Sequence, residues 1–456
     1  MLFNSITFVL FHLSLVALYW AAEKQVQRLV YLLVGSVVFY GWYYWPAVFL
    51  LGGSMIVNFV LSHKIEKTRS KKILTLGVVL NLGNLLWFKY SAFLAANIVG
   101  LLNGLGVHVE APKMSAWLPL GISFYTFQII GYLVNVARGE VEAERSFLRF
   151  GVFKCFYGQL IAGPIVRARE LLPQLQSKRE FSQSDFHLGI YYMIAGLAIK
   201  VFVADTLSQF ADYGFANPSE LGQVTAWATL YAFAFQILAD FWGYSTIAMG
   251  VGLMFGIRLP LNFNLPYFAD SIREFWRRWH ITLSEWLRDF IYIPLGGNRR
   301  TQMRNLMLTM LLGGLWHGAS WNFVIWGGGH GLWLVLERVC PFSWPNKPIF
   351  RWVKTALIFH GVCLLWVFFR AQNFGGALAY FHALFLPSPV FSASPPDALV
   401  FVLLSFVLFM ATLGKSLTDR RFLKWSLIKQ VSVTTLLMVL ILCYTDARLD
   451  FIYFVF

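Results

Sequence analysis

Formal charge is scarce in this chain. Asp, Glu, Lys and Arg supply 13% of its 456 residues, about half of the roughly 25% that soluble domains carry. With 58% hydrophobic residues and a mean hydropathy of +0.61, too little polar surface remains for a separate water-soluble domain. Cysteine is sparse too. Cys155, Cys340, Cys363 and Cys443 are scattered, with neither metal-ligand spacing nor a disulfide framework, and they read as small buried hydrophobes. No G-x-S-x-G elbow or P-loop occurs, which argues against an α/β-hydrolase and an ATP-driven pump. The first apolar run lacks a basic leader and an A-x-A-like cleavage site, so it is expected to be a retained helix.

What the chain has instead is oil. Apolar runs recur at 2–20, 29–44, 46–61, 73–88, 116–135, 188–203, 225–257, 305–336, 354–369, 398–414 and 430–444. Most approach the roughly 17–25 residues that cross a bilayer. The expected fold is an all-α, polytopic transmembrane helical bundle with reentrant or interfacial helices, spanning 1–456 as one membrane domain of about 11–13 membrane segments. The net charge of +15 does not point to nucleic acid, because the basic residues gather in short loops, as the positive-inside bias requires. Lys64, Lys67, Arg69, Lys71 and Lys72 form one such loop, and Lys415, Arg420, Arg421 and Lys424 another. Taking both as cytoplasmic puts the Trp45-Pro46 turn, the 371–397 connection and both termini outside.

Two polar interruptions break the pattern. The stretch 138–187 mixes charge with Gly163, Pro164 and Pro173 and cannot be one continuous span. The stretch 258–304 contains SIREFWRRWHITLSEWLRDFIYIP. There Ile272, Phe275, Trp276, Trp279, Leu283, Trp286, Leu287, Phe290 and Ile291 recur at helical spacing. Arg273, Glu274, Arg277, Arg278, Glu285, Arg288 and Asp289 fill the opposite side. The period predicts an amphipathic interfacial helix, ended by Pro294 and Gly296-Gly297, with His280 on its apolar side.

An ionisable side chain inside a bilayer is costly and is a functional candidate by default. Asp240 is the one formally charged residue between Glu220 and Arg258, and none lies between Arg304 and Glu337, where His317 and His330 sit. At about 1.5 Å per helical residue, His317 lies ~20 Å in from Arg304. Gly318-Ala319-Ser320 follow it, so a local break is expected there, opening the imidazole to a cavity. Histidine is the usual general base near neutral pH: it can take a hydroxyl proton so that the oxygen attacks an activated acyl carbon. His330, after three glycines, reads first as a packing or hydrogen-bonding group. The spacing of His280, His317 and His330 matches no familiar metal site, and no metal is expected.

Five stretches carry a resemblance: QLIAGPIVR (159–167), ADFWGYSTIAMGVGLMFGIRLPLNFNLPY (239–267), SIREFWRRWHITLSEWLRDFIYIPLGGNR (271–299), LTMLLGGLWHGASWNFVIWGGGHG (308–331) and WVFFRA (366–371). Over most of its length the chain resembles membrane-bound O-acyltransferases, and most closely the bacterial branch that O-acetylates alginate, cellulose and other exopolysaccharides. The resemblance implies that His317, in the Trp-His-Gly element, is catalytic and that His280, in FWRRWH, is a second functional histidine. It also implies that the two lie near a central tunnel, with the FWRRWH region facing the cytoplasm. It implies transfer of acetyl groups from acetyl-CoA, a donor substrate and not a bound cofactor, across the bacterial inner membrane for O-acetylation of an exported or cell-surface polysaccharide. A periplasmic SGNH-type acetyltransferase is the implied partner.

On this basis Arg273, Arg277, Arg278 and Arg299 are expected near the donor phosphates, Trp279 and Trp316 as channel walls, and Asp240 as a group orienting a nearby donor. Two rivals stand beside this. D-alanyl transfer to teichoic acid from a carrier-protein thioester shares both histidines, whereas IPLGGNR and WVFFRA favour the polysaccharide branch. A non-enzymatic transporter or channel would use Asp240 and the histidines to line a polar path.

Overall fold

Apolar helices with few capping residues, joined by short basic or Gly-Pro loops, dominate the structure, a computed structural model that describes residues 1, 3–110, 117–340, 345, 347–386, 400, 403, 406, 414, 417 and 421–443. No strand occurs among the described residues. The protein is an all-α polytopic membrane protein. Five helical stretches are long and apolar enough to cross a membrane: Pro46–Thr68, Lys71–Gly104, Gln183–Ala216, Gln223–Met254 and Pro348–Arg370. Shorter apolar helices span Ile6–Ala21, Phe374–Phe385 and Leu427–Cys443.

The chain divides into two compact units. The first comprises Met1–Ser182 with Phe255–Leu259. It contains α1 (Ile6–Ala21), α2 (Gln25–Gly41), α3 (Pro46–Thr68), α4 (Lys71–Leu85), α5 (Ser91–Gly104), α6 (Ile122–Arg138), α7 (Phe147–Cys155), α8 (Tyr157–Leu160) and α9 (Ala168–Gln176). A π-helical turn, Leu86–Tyr90, joins α4 to α5, so the run expected to end at 88 continues to 104. The polar interruption is three short helices rather than one span, as Gly163 and Pro164 require. Buried polar groups here are tied locally. Asn58 and Asn81 exchange side-chain hydrogen bonds of 3.1 and 2.7 Å, and His12 Nδ1 meets the Tyr157 hydroxyl at 2.6 Å.

The second unit comprises Gln183–Met254 and Pro260–Phe456. It contains α10 (Gln183–Ala198), a π turn Ile199–Ala204, α11 (Asp205–Ala216), α12 (Gln223–Met254), α13 (Ile272–Arg278), α14 (Ile281–Leu287), α15 (Gln302–His317), α16 (Trp321–Val339), α17 (Pro348–Arg370) and α18 (Phe374–Phe385). Helices α10 and α12 cross on glycine. A Cβ at Gly196 would come within 2.6 Å of the Gly243 carbonyl oxygen, and one at Gly250 equally close to that of Gly189. Both helices carry these glycines seven residues apart. Small residues let backbones approach closely where lipid supplies no hydrophobic drive, and this approach brings Lys200 beside Asp240.

The α15–α16 hairpin is built the same way. A Cβ at Gly314 would overlap the Phe323 carbonyl, and one at Gly327 the Met310 carbonyl. Helix α18 lies inside the 371–397 connection, where the sequence suggested only a loop; residues 387–397 lie outside the described residues, as do most of 398–414, Lys415, Arg420 and the carboxyl terminus.

Candidate functional site

The expected interfacial helix is two helices. The 3.6-residue period of 271–294 runs straight through Trp279 and His280, yet α13 stops at Arg278 and α14 starts at Ile281. His280 sits between them in the left-handed region at φ 40°, a conformation that costs a non-glycine residue energy and persists only when neighbours enforce it. The enforcing neighbour is the extended segment 260–265. Asn264 N–H donates to the Arg278 carbonyl and Ile281 N–H to the Asn262 carbonyl, both at 2.9 Å. These bonds satisfy backbone groups that a continuous helix would have paired internally. At the other end, the Glu337 carboxylate of α16 accepts from the N–H groups of Ile272 and Arg273. A carboxylate there satisfies orphan donors and complements the helix dipole.

Asn262 also fixes the imidazole. Its side-chain carbonyl accepts from the Thr282 backbone N–H and hydroxyl at 3.3 and 3.0 Å. An oxygen identified by a backbone N–H can only accept, so His280 Nδ1, 3.1 Å away, is the donor. In the neutral ring Nε2 is then the acceptor nitrogen. A neutral His280 thus takes a proton through Nε2; to polarise a carbonyl there it must first become the imidazolium.

His317 is the last residue of α15, and Gly318 leaves the helix in extended conformation. The break anticipated at 318–320 is present: a Cβ on Gly318 would collide with the Phe323 ring, and the Ser320 hydroxyl caps α16. The His317 ring lies 4.9 Å from Trp316, 5.1 Å from Trp326 and 5.2 Å from Phe369, between centroids. Trp316 in turn lies 5.8 Å from His280. Two helix breaks, each marked by a histidine, therefore meet across one indole. Phe369 belongs to the WVFFRA element, which gives that motif a place in the wall of the site.

His330 is fully buried on α16. Its ring is parallel to Phe275 at 6.0 Å and edge-on to Trp276 at 5.1 Å and Trp326 at 4.9 Å. Trp326 thus touches both His317 and His330. Trp279 is fully buried and packs on Phe275 and Trp366.

A cavity of about 420 Å³ lies beside these residues, its lining including Arg273, Arg277, Arg288, Arg338 and Glu285 together with Trp276 and Met310. That volume falls in the roughly 300–1,000 Å³ of small-molecule sites. Of the four arginines expected near donor phosphates, Arg273 and Arg277 line it, whereas Arg278 and Arg299 do not. Arg278 is bound to Glu274 at 2.8 Å; Arg288, itself paired with Asp289 at 2.7 Å, and Arg338 line the cavity although the sequence did not single them out for it. None of the three histidines is among the lining residues; His317 is 3% exposed, and Trp276 stands between the cavity and His330.

Asp240 belongs to a buried ion cluster. It is paired with Lys200 at 2.8 Å, and Lys200 also binds Asp205 at 2.6 Å. All three are buried. Lys200 interrupts an apolar run as plainly as Asp240 does, so its signal was available in the sequence; what was not available was that the glycine crossing would join the two. Asn262 gave no comparable signal, since its importance lies in reaching across to His280.

The second unit thus joins a broken FWRRWH helix, a Trp-His-Gly helix end and an arginine-lined cavity within an all-α membrane bundle. Residues 143–379 match the MBOAT, or membrane-bound O-acyltransferase, family, and the chain belongs to that family. It is a membrane O-acyltransferase, which removes the reading as a non-enzymatic channel. Among its relatives, a probable alginate O-acetylase, AlgI, from Azotobacter vinelandii is 41% identical over 396 residues, covering 84% of this chain and 78% of that protein. A peptidoglycan O-acetyltransferase from Helicobacter pylori is 38% identical over 76% of this chain and 72% of its own length. A teichoic acid D-alanyltransferase from Streptococcus thermophilus is 29% identical over 48% of this chain and 56% of its own.

Proposed function

We propose that the chain takes acetyl groups from cytoplasmic acetyl-CoA and passes them across the bacterial inner membrane for O-acetylation of an exported or cell-surface polysaccharide. The observation that carries this reading is the meeting of His317 and His280 at Trp316, each at a helix break, in the unit that also holds the arginine-lined cavity. The acetylase relatives, similar over three quarters or more of this chain, support acetyl over D-alanyl as the group moved. The D-alanyltransferase likeness covers about half of it.

In this mechanism the donor's phosphates lie against Arg273, Arg277, Arg288 and Arg338. His317 removes the proton of an acceptor hydroxyl as its oxygen attacks the thioester carbonyl. The carbon–sulfur bond breaks, and the thiolate leaves with the proton that His317 returns, so the ester and the free thiol balance. An acyl-histidine route differs only in that the His317 nitrogen attacks first and the hydroxyl second. Trp279 and Trp316 shape the channel. A periplasmic SGNH-type transferase then modifies the polymer, and both chain termini lie on the periplasmic side.

The test is acetyl release and transfer from radiolabelled acetyl-CoA by purified protein, beside a D-alanyl carrier protein. Transfer from acetyl-CoA that is lost in folded His317→Ala supports the reading. Transfer at the wild-type rate in that variant, or activity with the carrier protein alone, contradicts it.

A further inference from the structure

One buried histidine of the second unit is used by nothing described so far. His330 has no exposed surface. Among the described residues, neither of its ring nitrogens has a hydrogen-bond partner. The same holds for the indole N–H groups of Trp276 and Trp326, the two rings that meet the imidazole edge-on. Three neighbouring side chains thus gather unpaired polar atoms in one apolar pocket.

Packing alone does not account for this. A phenylalanine at 330 would stack on Phe275 and accept the edges of both tryptophans equally well. It would also avoid the penalty of about 1–3 kcal/mol for each buried polar group left without a partner. Stability alone therefore favours Phe at this position, and buried unpaired nitrogens beside a cavity wall call for a partner outside the packing.

Position shows what is bound. Trp276 lines the arginine-rich cavity and lies 5.1 Å from His330. His330 lies 4.9 Å from Trp326, and Trp326 lies 5.1 Å from His317. The unpaired donors and acceptor thus sit along a chain of contacts from the arginine-lined cavity to the His317 imidazole, and Trp276 and Trp326, which also meet at 5.8 Å, flank His330 on it. A ligand matching this sequence has an anionic head for the arginines, then a narrow arm with amide groups, then a thioester.

Resting on the acyl-thioester reading above, we propose that His330, with the indole N–H groups of Trp276 and Trp326, binds the amide-bearing pantetheine arm of the acyl donor. The neutral imidazole offers one donor and one acceptor, and the indoles two more donors. These match amides, which present a carbonyl and an N–H each. Opening the route requires Trp276 to swing off His330.

The experiment measures binding to full-length protein in nanodiscs, in the His317→Ala background so that nothing turns over. The probes are coenzyme A, pantetheine without the nucleotide, 3′,5′-ADP without the arm, and a pantetheine-bearing carrier protein. Adding His330→Phe is expected to weaken coenzyme A and pantetheine about tenfold, which is ~1.4 kcal/mol, to leave 3′,5′-ADP unchanged, and to raise or hold the melting temperature. Arg338→Gln is expected to do the reverse, weakening coenzyme A and 3′,5′-ADP but not pantetheine. If carrier protein binds and coenzyme A does not, the arm comes from a protein, and the His330 dependence is expected with that probe.

Unchanged pantetheine binding in His330→Phe overturns the proposal, as does failure of every pantetheine-bearing probe to bind the parent. Should His330→Phe not fold, Trp326→Phe removes one N–H and keeps the ring, and undiminished pantetheine affinity in it would overturn the proposal equally. Wild-type protein that binds pantetheine through His330 yet moves no acetyl group would sink the functional reading while leaving this assignment standing.

Discussion

Both units bury histidine among aromatic rings, and that of the first is not like those of the second. In the first unit His12 sits inside α1, packed by Phe8 and Phe255, with Nδ1 joined to Tyr157 at 2.6 Å. In the second, His280 and His317 mark helix breaks and His330 adjoins a cavity wall. Burial alone therefore does not mark function. A polar ring that finds its partner within a regular helical bundle holds that bundle together. One placed where the helix stops, or left unpaired near a cavity, is the better candidate for chemistry.

The sharpest way to break that contrast is to exchange its members. Removing the proposed base, His317→Ala, is expected to lower acetyl transfer by about 10²–10⁴-fold, the usual worth of a positioned acid–base group. His12→Phe is expected to leave the transfer rate within about twofold and to cost about 1–3 kcal/mol, because the buried Tyr157 hydroxyl loses its partner. Stopped transfer assays beside thermal melts would read both. A folded His12→Phe as inactive as His317→Ala would erase the distinction.

Next in size is the buried ion cluster of the second unit. Lys200→Met leaves Asp205 and Asp240 facing each other uncompensated and is expected to cost about 3–5 kcal/mol, seen as a large drop in melting temperature. The double change Lys200→Met, Asp240→Leu should recover part of it. Asn262→Leu, which removes the acceptor that sets the His280 tautomer, is expected to slow transfer about 10–100-fold, the usual effect of losing a residue that orients a functional histidine, with donor KM little changed. Smallest is Arg299→Gln, outside the cavity, expected within about twofold of wild type in donor KM, whereas Arg273→Gln or Arg338→Gln should raise that KM severalfold.

Much of this was legible beforehand, for stated reasons. The membrane class follows from a shortage of charge, and the spans from apolar runs. The break after His317 follows from Gly318-Ala319-Ser320 beside an imidazole. The break at His280 was hidden because hydrophobic spacing continues through it. What stops the helix is Asn262 and Asn264, hydrogen-bonding from a segment sixteen to eighteen residues away, which no local period records. Helix α18 falls within what the sequence marks only as the 371–397 connection; Asn373 is its N-cap, the side chain accepting from Gly376 N–H. The pairing of Lys200 with Asp240 needed the four-glycine crossing, which becomes visible only when two helices are set side by side.

Proteoliposomes with acetyl-CoA sealed on one side and a soluble hydroxyl acceptor on the other would test the central claim most directly, that donor and acceptor reach one imidazole from opposite faces. Acetyl should appear on the far acceptor with wild-type protein and stay on coenzyme A with folded His317→Ala. Equal transfer by the two proteins, or transfer by the wild type only when both substrates share a side, would contradict it.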